Sequence, residues 1–225
     1  VISRCVVDVG DLVGHAPCWQ SSLTWEDAVA ATKALRGPKA VEVGAATALT
    51  ASTPPIPEVR AMAAEYFLPG RRLIDVISDL CHRIHVSFRF DPSASDVTTP
   101  LADVIEAGGG VCQDFAHLML AVVRSVGLAG RYVSGYIETD PPPGAEKMIG
   151  ADASHAWCSI WSPEVGWFDV DPTNDQLPPH RHVTVGWGRD YADVAPVRGV
   201  VIGPTTTQVL DVSVDVTRVE DPPPD

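Results

Sequence analysis

Apolar residues recur at helical spacing through the first half of the chain and alternate with polar ones through much of the second. After the breaker cluster Thr53-Pro54-Pro55-Ile56-Pro57, Val59, Met62, Ala63, Tyr66 and Phe67 mark one helix that ends before Pro69-Gly70. Leu73, Val76, Ile77, Leu80 and Ile84 share one face of a second helix, which a polar loop through Asp91-Pro92 follows. Thr99 as N-cap, Pro100 at the first position and Gly108 at the end predict a short third helix. Phe115, Leu118, Met119, Val122 and Val126 then mark a long one, with Ala116, Leu120 and Val123 filling its other side and Gly127 just past its end. A helix apolar nearly all round is predicted to be central and buried.

From there the period changes to 2. Arg131 to Ile137, His155 to Trp161 and Trp167 to Asp171 read as strands separated by turns rich in Pro and Gly, and Val200 to Val219 offers one or two more. Helices followed by strands imply an α+β fold with a segregated antiparallel sheet. The core is read as residues 53–225. Residues 1–52 have weaker signals: a β-like opening (Cys5, Val6, Val7, Val9), a loop from Gly14 to Cys18 and an Ala/Thr-rich stretch from Ala40 to Ser52. They are read as an N-terminal appendage or the remnant of a preceding β-rich domain. Pro141-Pro142-Pro143-Gly144 and the tail from Asp221 are read as exposed connectors.

Composition narrows the function classes. The 225 residues carry 16 basic and 29 acidic side chains, a formal net charge of −13, which argues against a basic face for nucleic acid. No apolar run approaches the ~18 residues of a membrane span and no secretory leader opens the sequence, so the expectation is a cytoplasmic protein. The five cysteines, Cys5, Cys18, Cys81, Cys112 and Cys158, fit neither a disulfide framework nor paired zinc-ligand spacing.

Cys112 differs from the others in position. It opens the long apolar helix directly after Gly108-Gly109-Gly110, where unpaired N–H groups and the positive end of the helix dipole favour thiolate over thiol. The glycines leave that helix end open to close approach, and the Cys112 N–H is placed to serve as an oxyanion donor. A thiolate nucleophile needs a base and a group to orient it. The loop Ser162 to Gly166 has hairpin length; if Trp161 pairs with Trp167, then Ser159 faces Asp169 and Trp157 faces Asp171. Alternation puts His155, Trp157, Trp161, Asp169 and Asp171 on one face, and makes His155 and Asp171 diagonal neighbours roughly 7–8 Å apart at Cα. Asp171 is therefore preferred over Asp169 as the partner of His155, provided the register holds.

Taken together, Gly110-Val-Cys-Gln-Asp-Phe-Ala-His117, Arg131-Tyr-Val-Ser-Gly-Tyr136, Ala153-Ser-His-Ala-Trp157, Gly166-Trp167, Asp171-Pro-Thr-Asn174 and Gly188-Arg-Asp-Tyr191 resemble the bacterial transglutaminase-like family of the papain-like cysteine enzyme superfamily. The resemblance runs from about Pro57 to Val214. It implies a papain-like core with the nucleophile at the N-terminus of a central helix packed on an antiparallel sheet. It also implies Cys112 as nucleophile, His155 as general base and acid, and Asp171 as the orienting carboxylate. The chemistry implied is thioester formation on an amide bond, resolved by water as in a protease or amidase, or by an amine as in a transglutaminase. Hydrolysis is slightly preferred, because water is everywhere and amine transfer needs a dry acceptor site. The partner implied is a protein or peptide substrate presenting a glutamine or other amide; oligomeric state is not readable.

No cofactor is expected, and the absence of an oxygen-rich D-x-[DN]-x-[DN]-G loop argues against calcium. The alternative reading is a non-catalytic binding or scaffold module that keeps the fold. A metal site from Cys81, His82 and His85 is disfavoured: Cys81 and His85 can share a helix face, but His82 is rotated away and a fourth ligand is missing. His117 lies about 7.5 Å along the helix from Cys112, on another face, and is not assigned as the base.

Overall fold

The switch of period after Gly127 is where the computed structural model of the chain passes from helices to sheet. The structure describes residues 2, 4–9, 19–138, 153–177, 181–195 and 213–219. The expected loop from Gly14 to Cys18, the Pro141 to Gly144 connector, the segment 200–212 and the tail from Asp221 lie outside them. Helices come first: α1 (Trp25–Ala34), α2 (Pro38–Ala45), α3 (Pro57–Tyr66) and α4 (Leu73–Ser87). A two-residue strand β1 (Arg89–Phe90), helix α5 (Leu101–Ala107) and strand β2 (Gly109–Gly110) lead into α6 (Cys112–Ser125). Strands β3 (Gly130–Ile137), β4 (Ala153–Ser162), β5 (Gly166–Val170) and β6 (His182–Gly188) and the short helix α7 (Tyr191–Val194) follow.

The helices begin and end close to where their breakers stand. The short helix is capped one residue later than expected, by Pro100 rather than Thr99, whose hydroxyl accepts from the Asp96 N–H instead. β6 is a strand beyond those expected, and residues 213–219, part of the stretch read as further strands, hold a single β-bridge position at Val214 and no longer strand.

The four-stranded sheet has the order β5-β4-β3-β6 and is antiparallel throughout. The expected hairpin register is observed: Trp161 pairs with Trp167 and Ser159 with Asp169. The ladder stops at Cys158 and Val170, however, so Asp171 does not pair with Trp157; it turns away and bridges to Gln176. Ala156, Cys158 and Ile160 of β4 join Phe168 and Val170 of β5 and the buried side chains of α6 in one core. The Cys158 thiol donates to the Ala116 carbonyl of α6. As expected for a central helix, α6 is buried from Asp114 to Arg124.

The second half of the segment read as an appendage consists of two helices. Thr24 and Asp27 form a reciprocal cap that starts α1, whose Ala28 and Val29 lie in the same buried cluster as α6. The end of α2 is held by Arg124, a buried residue of α6. Its guanidinium donates to the carbonyls of Ala46, Gly130 and Arg189 and to the Thr53 hydroxyl, so the charge is taken out of water only against four oxygen acceptors.

Candidate active site

The entry to α6 is built before the thiol is placed. Asp114, buried three residues into the helix turn, accepts from the Val111 N–H at 2.8 Å and from the Ser95 hydroxyl. A Cβ at Gly110 would run into this carboxylate. The close approach made by the glycine stretch is thus partly internal: Gly110 admits the Asp114 cap, which fixes the first turn on which Cys112 sits. Cys112 itself is half-buried, at the N-terminal end of the helix dipole.

His155 lies near the start of β4, paired with Gly135 of β3, and is 7% exposed. Its Nε2 donates to Asp171 Oδ2 at 2.7 Å. The Cys112 side chain neighbours the same imidazole, and Nδ1 is the ring nitrogen that Asp171 does not engage. Thus the three residues expected to form the site come together: Cys112 from a helix N-terminus, His155 from a strand and Asp171 from the turn beyond a neighbouring strand. Burial by itself pushes the His155 imidazole down, but hydrogen bonds to Asp171 and Cys112 and the charge on Asp171 outweigh it and raise it to about 9.

Asp171 is fully buried and saturated with donors. Oδ2 accepts from His155, from Asn174 Nδ2 at 2.7 Å and from His182 Nε2 at 2.8 Å. Oδ1 accepts from the backbone N–H groups of Thr173 and Asn174. Burial pushes this carboxyl up, yet the hydrogen bonds from His155 and His182, the charge on His155 and Asn174 hold it below the ordinary carboxylate range. The turn Asp171–Gln176 that carries it is clasped by α4. The Cys81 thiol donates to the Asp171 carbonyl, His85 Nδ1 to the Thr173 carbonyl, and His82 Nδ1 to the Asp175 carboxylate. These are the same three residues that the sequence raised as a metal set; each is instead spent on fixing the turn. Asp175 needs such support, since its φ of 52 is a left-handed conformation for a residue with a Cβ.

Trp157 forms the floor. Its indole N–H donates to Asp169 at 2.9 Å, and its ring lies 6.0 Å from that of His155 and 4.8 Å from that of His182. A Cβ at Gly135 would strike both this ring and the Val183 carbonyl, where the β3–β6 pairing carries a bulge. Asp169, the acid not chosen from the register, is thereby occupied with Trp157.

Of the other candidates, His117 accepts from the Tyr191 N–H and is pushed down to about 4 by burial, so it stays a neutral acceptor joining α6 to α7. Burial pushes the thiols of Cys81 and Cys158 well up, and Cys5 is exposed. Cys18 lies outside the described residues. His182 was missed altogether. Its signal was the alternation of Val183, Val185 and Trp187 behind it, but the strand pairs with β3 rather than with its sequence neighbours, so no hairpin arithmetic reaches it. His155, Asp171 and His182 bring three ligand-type atoms within 4.8 Å of one another. In the structure those atoms share the hydrogen bonds just described, and a metal would have to displace both from Asp171.

Residues 61–172 match the family model of the transglutaminase-like superfamily. This stretch belongs to the transglutaminase-like superfamily. An uncharacterized protein of Mycobacterium tuberculosis is 49% identical over 166 residues, covering 72% of this chain and 53% of that protein. A protein-glutamine gamma-glutamyltransferase of Pseudomonas aeruginosa is 31% identical over 130 residues, 54% of this chain and 19% of the relative. Among solved structures, a "Putative Cysteine Protease from Cytophaga hutchinsonii" superposes with a TM-score of 0.58 at 23% identity, covering 72% of this chain and 50% of that one. This last likeness supports the transglutaminase-like, papain-type fold. The chain spans about half the length of the mycobacterial relative. Among the described residues, no helix is long and apolar enough to cross a membrane.

The raised His155 has a consequence for stability. An unfolded histidine titrates near ~6.5, so between about pH 6.5 and the folded value of about 9 the native His155 holds a proton that the unfolded side chain has lost. The contribution is complete below that window and is lost as pH rises through it, with a limiting slope of about 1.4 kcal/mol per pH unit. In a Cys112→Ala background, urea unfolding at pH 6.5 and 9 should therefore show a steeper loss with His155 present than with His155→Gln. Equal slopes would mean that the pair does not form.

Proposed function

We propose that this transglutaminase-like domain performs thiol-dependent acyl chemistry on amide bonds, with Cys112 as nucleophile, His155 as acid and base, and Asp171 as the orienting carboxylate. The observation that carries the reading is the orientation of His155: with Nε2 tied to Asp171 at 2.7 Å, Nδ1 is the nitrogen left for the thiol. In the first step the Cys112 thiolate attacks the amide carbonyl, and the developing oxyanion is met by the Cys112 N–H. The His155 imidazolium gives its proton to the departing nitrogen, which leaves as ammonia or an amine. The thioester then faces a neutral imidazole, which takes a proton from water as the water attacks. The products are a carboxylic acid, the thiolate and a reprotonated His155.

Hydrolysis is the preferred outcome, because Cys112 is only half-buried and water has access to its thioester. Amine transfer is the second reading. It is favoured by the similarity to the glutamine glutamyltransferase, which also makes a glutamine side-chain amide the acyl donor to test first. The deciding experiment incubates a glutamine-containing peptide with the protein, with and without a fluorescent primary amine, and follows ammonia and peptide mass. Ammonia released without amine, with conversion of glutamine to glutamate, is the expected result. Incorporation of amine faster than that release would establish transfer. An unchanged peptide in both arms, repeated with a panel of peptide amides, would leave the domain as a binding module.

A further inference from the structure

His182 is the one side chain in the site that neither the sequence reading nor the proposed steps employ. It is 3% exposed, and its ring is held edge-on to Trp157 with Nε2 directed at Asp171 Oδ2. Nδ1 is buried and has no hydrogen-bond partner among the described residues. Orphaning a ring nitrogen is unfavourable, so the placement is explained by what Nε2 does. Asp171 does not need His182 to stay in place. Its Oδ1 is held by two backbone N–H groups, its Oδ2 by Asn174, and its turn by α4. What His182 adds is a second imidazole donor on the same oxygen that holds His155.

We propose that His182 is a positioning residue that acts through Asp171: by sharing Oδ2 it limits how tightly that carboxylate holds the His155 proton. A carboxylate oxygen that accepts several hydrogen bonds spreads its charge over them, and each partner feels less of it. Removing the His182 donor concentrates the charge on the His155 N–H. His155 then stays protonated to higher pH and becomes a poorer base towards the water that resolves the thioester. The other ionisable groups packed around the pair are Cys112 from α6 and Cys81 from α4, with Asp169 bound to Trp157 and Asp175 bound to His82. Among the described residues, only His182 and Asn174 share the Oδ2 atom with His155.

The inference rests on the proposed acyl chemistry for its kinetic consequence but not for its physical one, and two variants separate the donor from the ring. His182→Phe keeps a ring against Trp157 and removes the N–H; His182→Gln keeps an N–H near the position of Nε2. In turnover, the Phe variant should move the acid limb of kcat upward by about one pH unit and lower kcat at pH 7 roughly tenfold, with KM within about twofold. The Gln variant should stay within about threefold of wild type with its limb unmoved. Independently of any substrate, the His155 ring is titrated by NMR in a Cys112→Ala background. A midpoint raised by Phe and not by Gln supports the proposal even if the protein turns over nothing. An unmoved or lowered midpoint in the Phe variant, or equal behaviour of the two, overturns it. Should the Phe variant fail to fold, the nitrogen spectrum of the unsubstituted His182 at pH 8 decides: a proton on Nε2 is required, and a ring protonated only on Nδ1 overturns the inference.

Discussion

Cys112→Ala should abolish amide turnover, with a loss of at least about 10⁴-fold, while leaving the fold within about 1 kcal/mol of wild type. The two expectations differ because of where the thiol sits. It is half-buried at the surface end of α6, so its removal opens little of the core, whereas no other described thiol can replace it chemically. Cys81 and Cys158 are buried, donate to backbone carbonyls and are held as neutral thiols; Cys5 is exposed. Peptide mapping after brief iodoacetamide treatment of folded protein at pH 7 gives the corresponding chemical readout. Cys112 should be alkylated well before Cys81 and Cys158, and its rate should fall about tenfold or more in His155→Ala. Residual turnover in Cys112→Ala, or a Cys112 rate indifferent to His155, would remove the thiolate mechanism.

Asp171→Asn should combine a kinetic loss of about 10³- to 10⁴-fold with a loss of about 3 kcal/mol in stability. The substitution is nearly isosteric, and for that reason it is severe. Every contact at the carboxylate is a donor: two imidazole N–H groups, the Asn174 amide and two backbone N–H groups. An amide nitrogen placed among the three donors at Oδ2 must face them with N–H groups of its own. Both rings would have to reverse their tautomers to accept from it, which would leave His155 presenting the wrong protonation state to Cys112. Stability is read by urea unfolding and activity by the ammonia assay. A variant within tenfold of wild type in kcat would mean that the imidazole is oriented by something else. The same geometry sets the acid side of the stability profile. The folded Asp171 carboxyl lies below its unfolded value of ~3.9, so its contribution is present above that pH and is lost as pH falls below it.

What could be read in advance at the site followed from local rules. The preference for Asp171 over Asp169 came from strand alternation and one hairpin, and that register is present from Trp161–Trp167 to Cys158–Val170. Its extrapolation by one residue did not hold, because Pro172 follows and the chain leaves the ladder to close the Asp171–Gln176 turn. The carboxylate reaches His155 from that turn, not across the strand pair. Cys81, His82 and His85 illustrate the reverse case. Their spacing raised a metal question that the helix face alone could not answer, since what matters is the turn, some 90 positions later in sequence, that packs against them.

The sequence by itself determined helices α3 to α6, the hairpin and the special position of Cys112, because period, breakers and position at a helix start act over a few residues and do not depend on what packs alongside. It also placed the fold class, through the order of helical and strand periods. Only the tertiary structure decided that β6 lies beside β3, that α1 packs on the main core and α2 on a second cluster with Ala129 and Trp161, and that the Asp171 carboxylate is shared by two imidazoles. Those outcomes depend on non-sequential pairing and on the burial of one charged group among many donors. Their energies belong to the assembled core and have no local pattern in the chain.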